Sequence, residues 1–350
     1  MKIQKLLLNN YRNFNNIEFY PEENINYIYG LNGVGKTNLI ESLSYLSLGK
    51  SYKGIQDKIL VKNGQDFFYI KAETTDNSSF EVGVNNKTKV RKHNGIEIKK
   101  ASDYVGLLKS VIFSTDDLLL IRGTPQDKRK FLDILLSQVD NRYLVYAVTV
   151  KQLIEQKNIE LKKDYPNRDY LLSINEQLFP LLQYIQEKRN HFIEYLNNCM
   201  TDIYQYVSEQ NKNISIKYYS NIKESFNFNE VIEEEINRKN AYYGIHRDTF
   251  KIYLDGLDAD DYASQGQQRL LILCLKILQV QYIVQETKEI PIFILDDVFS
   301  ELDKQKIKRF LLYIKDISCQ TFITSTEYLE KEDFISYFYL SADNVIKKET

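Results

Sequence analysis

An octapeptide near the N-terminus constrains this chain more than any other feature. Residues 30–37 read Gly-Leu-Asn-Gly-Val-Gly-Lys-Thr, with Gly30 and the Gly-Lys-Thr group separated by four residues. The alternating segment 25–29 predicts a strand before it, and the apolar spacing of 38–46 predicts a helix after it. Strand, glycine loop and helix in this order are typical of a phosphate-binding loop. The alternative, a glycine-rich turn with a chance Lys-Thr pair, does not account for the two flanks.

Each residue type in the loop has a chemical reason to be there. Glycines let backbone N–H groups wrap phosphates, and a helix N-terminus favours negative charge. Lys36 is predicted to reach the β- and γ-phosphates in a catalytic role, and Thr37 to ligate Mg²⁺. The predicted cofactors are therefore ATP and Mg²⁺. The loop residues predicted to bind the nucleotide are Gly30, Asn32, Gly33, Val34, Gly35, Lys36, Thr37 and Asn38.

A second acidic element is expected, because a phosphate loop needs a carboxylate to fix the metal. Residues 291–295 are apolar and precede Asp296 and Asp297, which predicts a buried parallel strand ending in acid. Asp296 is predicted to hold Mg²⁺, directly or through water, and Asp297 to orient or deprotonate the attacking water. Aspartate is shorter than glutamate, so turnover is expected to be slow. The alternative is that the pair caps the next turn.

A second anion site is predicted at 263–269, Ala-Ser-Gln-Gly-Gln-Gln-Arg, where a long helix begins. Ser264, Gln265, Gly266 and Gln267 are its predicted nucleotide contacts. Two phosphate-binding helix starts lie more than two hundred residues apart in the chain. One nucleotide needs both only if two subunits face each other, so a head-to-tail dimer is expected.

The pattern along the chain predicts an α/β fold with a helical insertion. Residues 59–115 read as short strands with turns, 126–210 as long charged helices, and the α/β character returns after Gly244. The predicted domains are 1–120, the ATPase N-terminal lobe; 121–240, a helical insertion or short arm; and 241–350, the C-terminal lobe. The C-terminal lobe contains the acidic strand and the segment 263–269, which we call the signature segment.

These motifs together resemble the ABC-type ATPases of the SMC branch. The resemblance covers nearly the whole chain and also includes the segments 10–14, 49–51, 123–125, 131–133, 246–248 and 295–303. It implies an ABC-type ATPase head that closes into an ATP-bound homodimer. Ser264 and Gly266 would contact the γ-phosphate from the opposite subunit, and the loop 300–303 would cross the interface.

The same resemblance implies further site residues and partners. Arg12 would lie near the nucleotide, and Thr326 would occupy the switch position where most ABC ATPases have histidine. Segment 113–117 is the candidate for the glutamine loop, and 244–249 departs from the family by lacking a proline and a final acid. The implied partners are duplex or gapped DNA and its single-strand junctions, the proteins RecR and RecO, and indirectly RecA in recombinational gap repair.

DNA binding must come from local basic patches, because the formal net charge is −2. Two clusters are present, one on a predicted hairpin and one at the start of the helical insertion. The predicted DNA contacts are Lys87, Lys89, Arg91, Lys92, Lys128 and Arg129. Taken alone, each cluster is equally consistent with a solvated surface.

Other classes of protein fit less well. The three cysteines lack a CxxC pair, and the three histidines form no ligand set, which argues against disulfide and zinc frameworks. The N-terminal apolar stretch is short for a signal peptide, and no segment is expected to reach transmembrane length, so a cytoplasmic location is expected. A transporter subunit would not need the long helical insertion, and an SMC-type structural protein would need far longer arms.

Overall fold

The chain forms two compact units, and neither is continuous in sequence. The computed structural model describes residues 1–222, 227–299, 302–341 and 346–348. The first unit comprises Met1–Asp117, Tyr206–Ser208 and Leu273–Thr350, and the second comprises Leu118–Gln205 and Glu209–Ile272. The predicted division into 1–120, 121–240 and 241–350 is a division by function, and it stays a prediction.

The described strands belong to three sheets. In chain order they are β1 (Ile3–Asn9), β2 (Asn16–Phe19), β3 (Ile25–Tyr29), β4 (Phe67–Thr74), β5 (Ser79–Asn85), β6 (Lys89–His93), β7 (Ile96–Glu97), β8 (Ser110–Phe113), β9 (Ile214–Tyr219), β10 (Thr249–Leu254), β11 (Leu257–Asp258), β12 (Ile292–Asp296), β13 (Thr321–Ser325), β14 (Ile335–Leu340) and β15 (Ile346–Lys348).

The described α-helices range from one turn to eleven. They are α1 (Lys36–Leu48), α2 (Asp57–Leu60), α3 (Ala101–Tyr104), α4 (Leu119–Arg122), α5 (Pro125–Val139), α6 (Asn141–Leu161), α7 (Arg168–Ser208), α8 (Phe228–Arg238), α9 (Ala259–Tyr262), α10 (Gln265–Thr287) and α11 (Lys304–Ile317). Short 3₁₀ turns lie at Thr115–Leu118 and Ile245–Arg247.

The first unit is built around a sheet whose strands come from both ends of the chain. Its order is β15-β14-β3-β13-β12-β8, and β14, β3, β13, β12 and β8 pair in parallel. The strands β12 and β13 are buried at every position, as expected for a parallel strand covered on both faces. Consequently β3, β12 and β13 present their carboxyl ends, with the loops that follow them, at one edge of the sheet.

A second sheet of the first unit is antiparallel, in the order β2-β1-β4-β5-β6-β7. The strands β4 and β5 alternate between buried and half-buried positions, which is the pattern of a sheet with one covered face. The turn between β6 and β7 places Asn94 and Gly95 at positive φ, as a two-residue hairpin turn requires.

The second unit carries the helical insertion and a small sheet, β11-β10-β9. Helix α5 begins with Thr124 and Asp127 in a reciprocal capping box and with Pro125 in its first turn. Helices α6 and α7 are capped by the residues that precede them, Asp140 and Asn167, whose side chains accept backbone N–H groups. Local sequence therefore determines where these long helices start.

Helix α10 is the one described helix that is long and apolar enough to cross a membrane. This differs from the expectation that no segment reaches that length. In its most apolar 18-residue stretch, however, 72% is buried inside the protein. Burial in a protein core explains the apolar character of this helix.

The α/β fold with a helical insertion is confirmed. The predicted strands at 25–29 and 291–295, the helix at 38–46 and the helical region 126–210 correspond to β3, β12, α1 and the series α5 to α7. The predicted sheet character of 59–115 is also confirmed by β4 to β8.

Candidate functional site

The glycine loop joins β3 to α1, and its glycines have backbone angles that other residues rarely adopt. Gly33 and Gly35 have φ of 83° and 108°. A Cβ added at Gly35 would lie 2.6 Å from the amide nitrogen of Asn13, whereas one added at Gly33 would meet nothing within 4 Å. Gly35 is therefore required for both conformation and space, and Gly33 for conformation alone.

Lys36 is folded back onto its own loop. Its ammonium donates to the carbonyl oxygens of Gly30 at 2.7 Å and Leu31 at 2.8 Å. Burial lowers the pKa of Lys36, while Asp297 and Asp296 oppose that shift. The side chain is thus a buried cation held at the loop by neutral carbonyls and nearby acid.

Asp296 lies at the end of β12 and is organised by two hydroxyl groups. Thr37 and Thr324 both donate to its Oδ1 at 2.8 Å, and the residue as a whole is only 7% exposed. Thr324 Oγ1 also accepts the backbone N–H of Asp297 at 3.1 Å. One threonine of β13 therefore fixes both predicted acidic residues.

Asp297 follows β12 in the left-handed conformation, with φ of 50°. Such a conformation is uncommon outside glycine, although aspartate and asparagine tolerate it best. Together with Thr324, Ser325 and Thr326, Asp297 lines a cavity of about 280 Å³. The remaining lining residues are Asn32, Gly33, Gly35, Lys36, Thr37, Asn38 and Asp296.

The structure thus brings together most of the predicted loop residues, both acids and Thr326 around one cavity. Gly30 lies behind the loop, where an added Cβ would be 2.4 Å from the carbonyl oxygen of Leu340. Val34 is buried, and its carbonyl accepts the side-chain amide of Asn13 at 3.0 Å. These two predicted residues shape the loop from behind the cavity wall.

Arg12 is held by Glu41 of α1. Its Nη2 and Nε lie 3.0 and 3.2 Å from Glu41 Oε2, and the hydroxyl of Ser51 donates to Oε1 at 2.8 Å. The carboxylate of Glu41 is buried. Arg12 therefore has a fixed position in the first unit, in contact with α1.

The donor chemistry around Asp296 suits Mg²⁺. A threonine hydroxyl and an aspartate carboxylate are hard oxygen ligands, and Mg²⁺ in phosphate sites takes few protein ligands and completes its shell with phosphate and water. Among the described residues, no group of three or more His, Cys, Asp or Glu could hold a metal on its own. Thr37 and Asp296 would hold the ion together with a bound nucleotide.

The signature segment, residues 263–269, lies in the second unit at the start of α10. Ser264 Oγ accepts the backbone N–H of Gln267 at 3.3 Å, and Gln267 Oε1 accepts that of Ser264 at 2.9 Å. This reciprocal pair is a capping box in which glutamine completes the motif. Ser264 and Gln265 are exposed, and Gly266 is half-buried.

The segment 244–249 surrounds a buried charge cluster in the second unit. Arg189 of α7 is 1% exposed and bonds to Asp248 Oδ2 at 2.6 Å and to Asp133 Oδ1 at 2.8 Å. Burial raises the pKa of Asp248, and Arg189 opposes that shift. His246 bonds to the carbonyl of Ala241 through Nε2 at 3.1 Å. The sequence leaves a structural and a nucleotide-sensing role open for His246, and this contact is compatible with the structural one.

The predicted DNA contacts differ in how they are placed. Lys87 is exposed, and Arg91 and Lys92 on β6 are half-buried. Lys89 is paired with Asp57 at 2.8 Å. Lys128 is 8% exposed above the ring of Phe250.

Arg129, the remaining predicted contact, donates to the carbonyl of Asp248 at 2.9 Å. Contact of these six residues with DNA stays a prediction, best supported by exposure at Lys87.

Two residues beside the cavity, Thr324 and Lys53, have no role that the sequence predicts. The sequence assigns Thr324 no role, yet its hydroxyl contacts both acids. Lys53, which approaches Asp296 to 3.7 Å, follows α1 in a segment with no apparent motif beyond 49–51. Residues 300 and 301 of the predicted interface loop lie outside the described residues. The cysteines are free, as expected.

Comparison with known proteins gives a consistent result. The RecF/RecN/SMC N-terminal domain family matches residues 2–344. The DNA replication and repair protein RecF of Thermoanaerobacter pseudethanolicus is 34% identical over 370 aligned positions, covering 99% of this chain and 100% of the relative. RecF of Clostridium acetobutylicum is 33% identical, covering 93% of each chain.

Solved structures agree with the sequence comparison. A structure of the recombination mediator protein RecF with ATP, in the RecFOR pathway, has a TM-score of 0.88 and 30% identity, covering 100% of this chain and 98% of that chain. The Smc head domain of Pyrococcus furiosus has a TM-score of 0.59 at 16% identity, covering 99% of this chain and 96% of that chain. The latter supports likeness of fold alone.

Proposed function

The chain belongs to the RecF/RecN/SMC N-terminal domain family, and within it to the RecF proteins of DNA replication and repair; from this we propose an ATP-dependent recombination mediator. In this proposal the protein dimerises on ATP in the cytoplasm, binds duplex or gapped DNA and its single-strand junctions, and promotes recombinase loading. Slow hydrolysis, stimulated by DNA, releases the dimer.

The observation that carries the proposal is the arrangement at the cavity of the first unit. The loop with Lys36, the hydroxyl of Thr37 and the carboxylate of Asp296 converge there, with Thr37 Oγ1 bonded to Asp296. Bound Mg²⁺ would neutralise phosphate charge. Lys36 would exchange its two carbonyl partners for phosphate oxygens, since both require only its N–H donors.

Asp297 has the position expected of a residue that orients the attacking water. It lines the same cavity, and Thr324 fixes its backbone N–H. A carboxylate there can accept a proton from water, although its reach is one methylene shorter than that of glutamate. This shorter reach supports the proposed slow turnover, which suits a nucleotide that times an assembly.

The exposed helix start at Ser264 would be the second anion site of the dimer, because the N–H groups and dipole at a helix N-terminus favour negative charge. In a head-to-tail dimer, Ser264 and Gly266 of one subunit would complete the nucleotide site of the other. ATP would then bind the dimer more tightly than the monomer and stabilise it by that difference in affinity. RecR and RecO are the proposed protein partners, with RecA reached indirectly.

The test is the molar mass in solution with ATP, with ADP and without nucleotide, measured by light scattering. Wild type is expected to double its mass with ATP, whereas Lys36→Met and Ser264→Arg stay monomeric. Gln177→Arg, on an exposed position of α7, adds the same charge as Ser264→Arg and is expected to dimerise normally. A wild-type mass that does not respond to ATP would refute the dimer mechanism.

A further inference from the structure

The carboxylate of Asp296 uses its two oxygens differently. Oδ1 accepts the hydroxyls of Thr37 and Thr324, both at 2.8 Å. Oδ2 faces the ammonium of Lys53, whose Nζ lies 3.7 Å away. The Lys53 side chain is 27% exposed and that of Asp296 is 10% exposed, so water screens this pair only in part.

The surroundings of this pair are rich in acid, and the neighbouring acids have basic partners of their own. Glu41 is paired with Arg12 at 3.0 Å, and Asp117 with Lys276 at 2.6 Å. The pKa of Tyr52, beside Lys53, is raised by burial first and then by nearby acids that include Asp296. Lys53 and the nearby Lys36 therefore supply the compensating charge for the acid expected to hold Mg²⁺, and Lys53 is the one that faces Oδ2.

A lysine at this distance and a metal on the same carboxylate are antagonistic. Mg²⁺ binds oxygen at about 2.0–2.1 Å. An ion bound through Oδ2 would therefore lie within about 6 Å of the ammonium that is 3.7 Å from the same oxygen, where like charges repel strongly in a partly buried site. Either the ammonium moves away when the metal binds, or the metal binds less tightly.

We propose that Lys53 is a tethered cation that competes with Mg²⁺ for Asp296 and thereby sets the metal affinity of the nucleotide site. This inference rests on the proposed function, since it concerns the regulation of the same site. Lys53 is a positioning residue in this scheme. Without metal, its ammonium helps to hold the Asp296 carboxylate against Thr37 and Thr324; when the metal binds, the ammonium moves away from that carboxylate.

The segment that carries Lys53 is anchored on both sides of it, which makes the exchange local. Ser51 is bonded to Glu41 at 2.8 Å, and the N–H of Gly54 donates to the carbonyl of Ser51 at 3.1 Å. Displacement of the ammonium can thus occur by rotation of a long side chain while the backbone keeps its contacts. Metal binding and the Lys53 contact oppose each other reciprocally.

The experiment measures Mn²⁺ affinity by electron paramagnetic resonance, with the full-length protein saturated with ADP. ADP is chosen because it has no γ-phosphate that Lys53 could engage instead. Lys53→Met and Lys53→Gln are expected to bind Mn²⁺ about three- to tenfold more tightly than wild type, and Lys53→Arg about as wild type. Lys58→Met removes the same charge from the nearby helix α2, away from Asp296, and is expected to change the affinity little.

Unchanged or weaker Mn²⁺ affinity in Lys53→Met and Lys53→Gln would overturn the inference. A second readout avoids metal altogether: a double-mutant cycle of Lys53→Met and Asp296→Asn on thermal unfolding, without nucleotide and with a chelator. The inference requires a favourable coupling between the two residues there. If wild type fails to bind ADP at all, the proposed function falls; if it binds ADP normally while Lys53 has no effect, only this inference falls.

Discussion

His246 is held neutral within the second unit. Burial first, and then the nearby cations Arg247, Arg129 and Lys157, lower its pKa to about 4, while the hydrogen bond to the Ala241 carbonyl opposes them. The unfolded chain, with an ordinary histidine pKa of about 6.5, binds the proton more readily. Protonation therefore favours unfolding of this residue's surroundings.

The pH dependence follows from that sign. Because the folded pKa is depressed, the contribution of His246 is fully present above about pH 6.5 and is lost as pH falls towards about 4, amounting to roughly 3 kcal/mol. His246→Gln is expected to flatten this part of the curve of unfolding free energy against pH. The control is His191→Gln, on an exposed position of α7. Equal slopes for wild type and His246→Gln would contradict the assignment.

Single residues also mark the limit of prediction from sequence. Lys36, Thr37 and Asp296 could be assigned because their spacing follows from the chemistry of phosphate and magnesium. Thr324 and Lys53 could not, because their roles depend on strand pairing and on a side chain crossing from the loop after α1. The ion pair of Lys89 on β6 with Asp57 on α2 could not be predicted from the sequence either, because the two residues belong to different elements.

At the scale of elements, Arg189 ties together most of the second unit. Its guanidinium on α7 bonds to Asp133 on α5, the hydroxyl of Tyr143 on α6, and Asp248 just before β10. Asp248 is 0% exposed, so its charge depends on this partner. Three helices and the residue before β10 therefore share one buried cation.

Replacement of that cation is expected to be costly. Arg189→Met should lower the free energy of unfolding by about 3 to 5 kcal/mol, because it leaves a buried carboxylate unpaired. Arg238→Met, which breaks an exposed i,i+4 pair with Glu234 on α8 and the contact of the guanidinium with the Tyr242 ring, should cost about 1 kcal/mol or less. Denaturant unfolding measures both, and a loss below about 1 kcal/mol for Arg189→Met would show that the cluster is not needed for stability.

Elements with strong local signals were the most predictable. The strand β12 is a continuous apolar run, and the start of α5 is marked in the sequence by the capping residues Thr124 and Asp127 and by Pro125. The small sheet of β9, β10 and β11 was not predicted, because its strands are separated by α8 and the cluster around Asp248. Pairing between such distant segments is decided by tertiary packing, which local pattern does not encode.

At the scale of the whole molecule, the net charge is slightly negative and does not favour attraction to DNA. With a formal net charge of −2, attraction to DNA depends on local basic surfaces and should weaken steeply with salt. The slope of log affinity against log salt is expected to fall by about 2 in the double variant Lys87→Gln with Lys92→Gln.

Measurement of that slope by fluorescence anisotropy with a gapped duplex tests the hairpin directly. Lys163→Gln, at an exposed position in the second unit where Lys163 pairs with Glu160, serves as the control and should leave the slope unchanged. If the double variant and the control have the same slope, the hairpin does not contact the phosphates.

The main sheet has a consequence for how the protein is made. The backbone N–H of Ile3 bonds to the side chain of Gln320, 317 residues later, and β3 pairs with β13 and β14. A ribosome adding about 5–20 residues per second needs roughly 15 to 60 seconds to supply those partners after β3 emerges. Until then the glycine loop has no Asp296 or Thr324 beside it. A chain that stops before β13 therefore cannot assemble this cavity, and its lining is complete only after translation has passed Thr326.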